Sequence, residues 1–322
     1  MSEVTRGRGT AQQTTVRRSP VDGLSGPPAR DAAAGTAPPP PSPKRPHWRR
    51  RRQIGLFAIA SVVALVILIP VLFGIISGFK DPFQMQNNPL GLPSPWNWQN
   101  YTGILTDSVF WRSTLNSVFI GVATVVIVVG ASALAAFVFA RYSFRGREVL
   151  FMYFAAGLMF PFAVAVLPLF ILLRESDMIG SPWGIILPQA AFGLPLTIII
   201  LRTFFRSIPA EIEESAILDG CSTFGVFWRI MLPMARPALA VVSVLTLVTS
   251  WNNFFLPLLV LVSERDWWTL PLGVQQFSSQ FGQDTALVLA YTMLASVPAL
   301  AFFFLAERQI VAGIAPTVGS KG

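Results

Sequence analysis

Long apolar runs separated by short polar intervals dominate the sequence. Six such runs span Ile54–Phe79 and about 114–140, 148–173, 183–205, 236–262 and 285–306. A helix of about 20 apolar residues crosses a hydrocarbon core of about 30 Å, so the pattern predicts an all-α membrane protein with six transmembrane helices. The period-two alternation of an outer-membrane barrel is absent. Pro70, Pro161, Pro168, Pro188, Pro195, Pro257 and Pro298 fall inside the runs. Each removes a backbone hydrogen bond that neighbouring helices or water must replace. Each is either a static kink or a bend at which a helix pivots.

One polar interval is too patterned to be a simple loop. Residues Pro209–Pro233 read PAEIEESAILDGCSTFGVFWRIMLP. Ser207 and Pro209 suit a helix start, and Glu211, Glu213 and Glu214 in the first turns favour the positive end of its dipole. Gly220 ends that helix. Ser222 or Thr223 caps a second, whose Phe224, Phe227, Trp228 and Met231 fall at i, i+3, i+4 and i+7 as one apolar stripe, with Pro233 as its stop.

Residues 1–53 are rich in Pro, Ala, Gly, Ser, Thr and Arg and hold too little apolar surface to offset their ordering entropy, which predicts a disordered basic tail. Arg49–Arg52 abut the first run, which is too complete for a cleaved leader and reads as a signal anchor with a cytoplasmic N-terminus. Alternation then puts both termini inside. Of the 24 Lys and Arg, only Lys80, Arg112, Arg174 and Arg265 fall outside, in keeping with the positive-inside rule. The same alternation puts 209–233 in the cytoplasm. The net charge of +8 thereby has a topological origin, and a nucleic-acid partner is not expected. The outer loops Asp81–Trp111 and Ser263–Asp284 carry Trp96, Trp98, Tyr101, Trp267, Trp268 and the polar run Gln275–Gln280. They are long enough to meet an extracytoplasmic protein, although Trp and Tyr also serve as interfacial belts.

Catalytic chemistry is poorly represented. The single cysteine, Cys221, excludes an intrachain disulfide, and the single histidine, His47, lies before the first run. No metal-ligand set or general base is available in the membrane. No Asp, Glu, Lys or His lies near the centre of a span, against an ion-coupled transporter and against an intramembrane hydrolase. No phosphate-cradling G-x-x-x-x-G-K-[ST] loop is present either, so the chain binds no nucleotide of its own. The most polar membrane stretch is Thr249-Ser250-Trp251-Asn252-Asn253. Its amides, hydroxyls and indole either meet the hydroxyls and apolar face of a neutral sugar or bond neighbouring helices to one another. Gln189, Thr197, Tyr291 and Thr292 are further polar candidates.

The order Glu214-Ser215-Ala216, then Asp219-Gly220, then Ile230, Leu232 and Pro233 resembles the EAA signature of ABC-importer permease subunits, with serine at one consensus alanine. Leu201-Arg202-Thr203-Phe204-Phe205 before Ser207-Ile208-Pro209, Ser250-Trp251-Asn252-Asn253-Phe254-Phe255-Leu256-Pro257-Leu258, and the glycine-rich ending Val311–Gly322 resemble the MalG-like carbohydrate branch. The resemblance covers 54–322 and implies a transmembrane permease domain whose segment 209–233 docks into a cytoplasmic ATPase.

It further implies a bacterial inner-membrane, multi-pass subunit that is not itself an enzyme and holds no cofactor, ATP being used by partner subunits. The partners implied are membrane lipid, a homologous second permease, two ATPase subunits and a solute-binding protein. An ABC permease for another small neutral or polar solute, or a non-transporting membrane scaffold or sensor of the same fold, is the alternative.

Overall fold

Small residues recur along the second apolar run at helical spacing: Ser113, Ser117, Gly121, Thr124, Ser132 and Ala136 are all buried. Such a face lets helix backbones approach closely in a membrane, and the helix carrying it is the centre of the fold. The computed structural model describes residues 47–279 and 282–318, with side chains over 55–277 and 284–304. The expected tail up to residue 46, Gln280, and Gly319, Ser320, Lys321 and Gly322 lie outside the described residues. Met1–Ala58 and Ile59–Gly322 are two units.

In chain order the helices are α1 (His47–Ser77), α2 (Pro82–Asn87), α3 (Gln99–Thr106), α4 (Ser108–Arg141), α5 (Arg147–Ala156), α6 (Phe162–Glu175) and α7 (Trp183–Ser207), followed by α8 (Ala210–Leu218), α9 (Thr223–Val226), α10 (Leu232–Met234), α11 (Arg236–Trp251), α12 (Phe255–Leu261) and α13 (Thr285–Val318). The fold is mostly helical, with one antiparallel pair of two-residue strands, Ser278–Ser279 and Gly282–Gln283. α4 packs along α7 and α11. At the crossing with α11, a Cβ on Gly121 would stand 2.9 Å from Leu247 Cδ1.

Among the described residues, four helices are long and apolar enough to cross a membrane: Gly55–Ser77, Ser108–Arg141, Trp183–Ser207 and Thr285–Phe304. Two further pairs qualify only when joined across a sharp bend, Arg147–Met159 with Phe162–Glu175 at 100° and Thr223–Met234 with Arg236–Trp251 at 75°. The 75° bend lies at Ala235, before the span expected over 236–262; the continuous spans expected over 148–173 and 236–262 are each broken within their own length. The first breaks where Pro161 forces Phe160 into extended backbone (φ −84°, ψ 110°). The second breaks at Asn252–Phe254, after which α12 restarts with Pro257 in its first turn, where the missing N–H costs nothing. Pro70, Pro168, Pro188 and Pro195 are accommodated inside continuous helices.

Candidate functional site

The segment 209–233 forms two short helices at right-handed backbone, joined by a turn that only glycine adopts freely. α8 begins after Pro209, ends at Leu218, and reverses at Gly220 with φ +83°. Ser222 Oγ then accepts the Gly225 N–H at 3.2 Å and caps α9. The second helix departs from expectation in two ways. A π turn over Phe227–Met231 interrupts it, and it continues through Pro233 to Met234 before bending at Ala235 into α11. The extra residue in the turn splits the expected stripe. Phe227 and Met231 are buried, whereas Phe224 and Trp228 are 67% and 51% exposed and pack edge-to-face with each other.

The buried half joins a core made with three other helices. Phe227 lies 5.1 Å from Phe137 of α4, and Met231, Val226 and Ala216 close over Leu201 and Phe205 of α7 and Ala238 of α11. The opposite half offers a surface: Glu214, Ser215, Asp219 and Gly220 are exposed, beside a hollow of about 470 Å³ formed with Cys221, Ser222, Phe224, Trp228 and Arg229. Ile230 and Leu232 are partly buried against the core. Adjacent glutamates thus have opposite fates, because successive helix positions lie about 100° apart. Glu214 is exposed, whereas the Glu213 carboxylate turns inward to Arg141 Nε at 3.5 Å.

A second ion cluster fastens the neighbouring helix ends. Arg202, almost fully buried, donates from Nη2 to Glu148 Oε1 at 2.6 Å and from Nε to the Phe139 carbonyl at 3.2 Å. Its guanidinium also lies 3.7 Å from the Phe151 ring centroid, a cation–π contact. Arg147 and Arg206 approach the same carboxylate.

Deeper in the helices, a cavity of about 290 Å³ is bounded by α4, α7 and α11 and by both broken spans. Irregular backbone at membrane depth is tolerated where it lines a cavity. Its polar wall is Thr124, Gln189, Thr197, Thr246, Thr249, Ser250 and Asn253; its apolar wall includes Leu158, Phe162, Phe192 and Leu196. Gln189 is the hub. Its Oε1 accepts from Ser250 Oγ at 2.6 Å and from Thr124 Oγ1 at 3.3 Å, while its Nε2 has no partner within the chain.

The structure divides the polar stretch 249–253. Ser250 and Asn253 reach this cavity, with Asn253 Oδ1 also capping α12 through the Leu256 N–H. Trp251 is buried against Phe302, and it lines a second hollow, of about 440 Å³, together with Asn252, Tyr291 and Thr292. The aromatic faces at the first cavity belong to Phe162 and Phe192, 5.2 Å apart. Gln189 and Thr197, secondary in the sequence reading, line the cavity directly. Thr124 was not singled out from sequence, because a threonine inside an apolar run carries no distinguishing mark.

At the other end of α4 the loop after α12 folds back onto the helix. Asn116 Nδ2 donates to the carbonyls of Asp266 and Trp268 at 2.8 and 3.0 Å, the Leu270 N–H donates to Ser117 Oγ at 2.7 Å, and Arg112 pairs with Asp266. Trp268 is buried, donating to the Leu261 carbonyl, so it is a core residue rather than a belt residue. Trp96, Trp98 and Tyr101 gather on Phe79, and Tyr101 Oη donates to the Ile75 carbonyl.

Residues 129–310 match the family described as binding-protein-dependent transport system inner membrane component. The chain is 32% identical over 259 residues to the diacetylchitobiose uptake system permease protein NgcG of Streptomyces coelicolor, covering 80% of this chain and 85% of that one. It is 32% identical to the arabinooligosaccharides transport system permease protein AraQ of Halalkalibacterium halodurans (80% and 92% covered) and 33% identical to the trehalose transport system permease protein SugB of Mycobacterium tuberculosis (77% and 90%). A crystal structure of a bacterial ABC transporter that imports the acidic polysaccharide alginate superposes with a TM-score of 0.70 at 21% identity, over 83% of this chain and 99% of that one.

Proposed function

The chain belongs to the family of binding-protein-dependent transport system inner membrane components, and from that premise we propose that it is the permease subunit of an ATP-driven importer of a sugar or oligosaccharide. Its relatives' named substrates support the sugar class. A cavity lined by amides, hydroxyls and two phenyl rings, with no carboxylate or ammonium among its lining residues, suits a neutral polyhydroxylated solute. In this reading the six spans are α1, α4, α5 with α6, α7, α11 with α12, and α13, both termini are cytoplasmic, and 209–233 faces the cytoplasm. The chain pairs with a homologous second permease and receives solute from an extracytoplasmic binding protein. It hydrolyses nothing itself; two separate ATPase subunits supply the work.

The observation that carries the coupling role is the split of segment 209–233. One half is buried in a core shared with α4, α7 and α11, while Glu214, Gly220, Phe224 and Trp228 are left exposed. An element anchored on one side and open on the other can receive a partner and pass its displacement inward. Gly220 tests this. A Cβ there meets nothing within 4 Å, so a larger side chain would project outward from the turn. Both Gly220→Ala and Gly220→Trp incur the same positive-φ strain of about 1 kcal/mol, but only tryptophan obstructs the docking face. Sugar uptake is expected to persist in Gly220→Ala and to be lost in Gly220→Trp with membrane insertion intact. Uptake by Gly220→Trp at the parent rate would end the docking assignment.

A further inference from the structure

We infer that Arg141 is the positioning residue that makes the ATPase-docking helix and the cavity-lining helices move as one body. This rests on the docking role proposed for 209–233 and adds the part that transmits it. Arg141 is the last residue of α4, and its side chain is almost fully buried. Its Nη2 donates to the Ile208 carbonyl at 2.7 Å, where α7 ends, and its Nε faces Glu213 Oε2 of α8 at 3.5 Å. One guanidinium at the end of α4 thus ties the end of α7 by a hydrogen bond and the first turn of α8 by a buried ion pair. Two of these helices, α4 and α7, carry Thr124 and Gln189 at the cavity.

The geometry suits a strut better than a surface pair. The guanidinium hydrogen-bonds the Ile208 carbonyl and forms an ion pair with Glu213 without a hydrogen bond at Nε, and screening by water is weak because Glu213 is also largely buried. The apolar core beneath can slide, since its contacts are non-directional, but drawing α8 away from Arg141 would leave two buried charges unpaired. A push on the exposed face of α8 therefore reaches α4 and α7 without being absorbed at the Pro209 joint. Glu148 with Arg202 and Arg206 braces α5 to α7, and Arg202 also reaches the Phe139 carbonyl of α4, but among the described residues none of these groups pairs with α8.

The test uses the whole transporter, assembled with its partner permease and ATPases in lipid, and needs no sugar. With Cys221→Ser to remove the native thiol, Thr246→Cys places a reporter in the cavity. Its labelling rate by a water-soluble maleimide is compared without nucleotide and after trapping with ATP and vanadate. In the parent the two rates are expected to differ by about fivefold or more, the lower end of ordinary coupling between sites. In Arg141→Gln the ratio is expected to collapse toward unity while the ATPase subunits co-purify in parent amounts.

Glu213→Gln, which keeps the Arg141–Ile208 bond, is the second arm should Arg141→Gln fail to assemble, and it is expected to lose the same ratio. The double variant is expected to be no worse than either single. A parent-like ratio in Glu213→Gln or Arg141→Gln overturns the strut. Gly220→Trp separates the two ideas: if it too keeps the parent ratio, the docking reading has failed, whereas if it loses the ratio and the Arg141 variants do not, only the strut has.

Discussion

Phe227 and Trp228 are sequence neighbours with opposite exposure, and truncating each in turn separates folding from docking. Phe227 is 3% exposed and packs on Phe137, and Trp228 is 51% exposed. Removing a buried phenyl costs about 3–5 kcal/mol, so Phe227→Ala should lower the melting midpoint of the purified subunit by several degrees.

Trp228 has roughly half of its area of up to about 250 Å² still open. Burying that much against an ATPase is worth at most about 3 kcal/mol at about 25 cal/mol per Å², up to about a hundredfold in docking affinity. Trp228→Ala should therefore leave the midpoint almost unchanged, within about 0.5 kcal/mol as for other exposed sites, yet reduce ATPase co-purification and uptake. Thermal unfolding in detergent and pull-down of the ATPase subunits read the two effects separately. Equal destabilisation by both variants, or full ATPase retention by Trp228→Ala, would refute the division of the segment into a buried and a docking half.

Two further substitutions address the cavity and the loop after α12. Gln189→Leu removes a buried, unpartnered Nε2 but also the acceptor of Ser250 and Thr124, so stability should fall by about 1–3 kcal/mol. The KM for uptake of the sugar retained by the cognate binding protein should rise; an unchanged KM would exclude Gln189 from the pathway. Asn116→Leu frees the loop at Asp266 and Trp268. It should weaken stimulation of ATP hydrolysis by the binding protein more than hydrolysis in its absence, and equal loss of both would remove the loop after α12 from that contact.

The apolar runs were legible because the bilayer imposes a length on any helix that crosses it, and charge asymmetry adds direction. The two breaks were not. A hydropathy window averages across Gly157–Pro161 and Asn252–Phe254, and Pro161 is one of seven prolines inside the runs with nothing in sequence to mark it as the one that bends the chain by 100°. Within 209–233 the Gly220 turn and the Ser222 cap followed from local backbone chemistry, whereas the π turn, which depends on packing against α4 and α7, did not. Arg141 entered the sequence reading only as one more positive charge, because Glu213 lies 72 positions away and charge counting cannot pair residues across that distance. Asn116 and Ser117 were likewise invisible among the polar residues at a span's end.

Those two side chains carry a consequence for how the protein is made. Their partners, Asp266, Trp268 and Leu270, follow 150 to 153 positions later in the chain. At about 5–20 residues per second, α4 waits on the order of ten to thirty seconds after emerging before the groups that satisfy its amide and hydroxyl are synthesised. During that interval a polar face of the central helix sits at the bilayer edge with only water, lipid headgroups or the insertion machinery to bond. Biogenesis is thus most exposed to failure between the appearance of α4 and the return of the loop after α12, and a translational stall in that window would leave an inserted but unlatched bundle for membrane proteases to find.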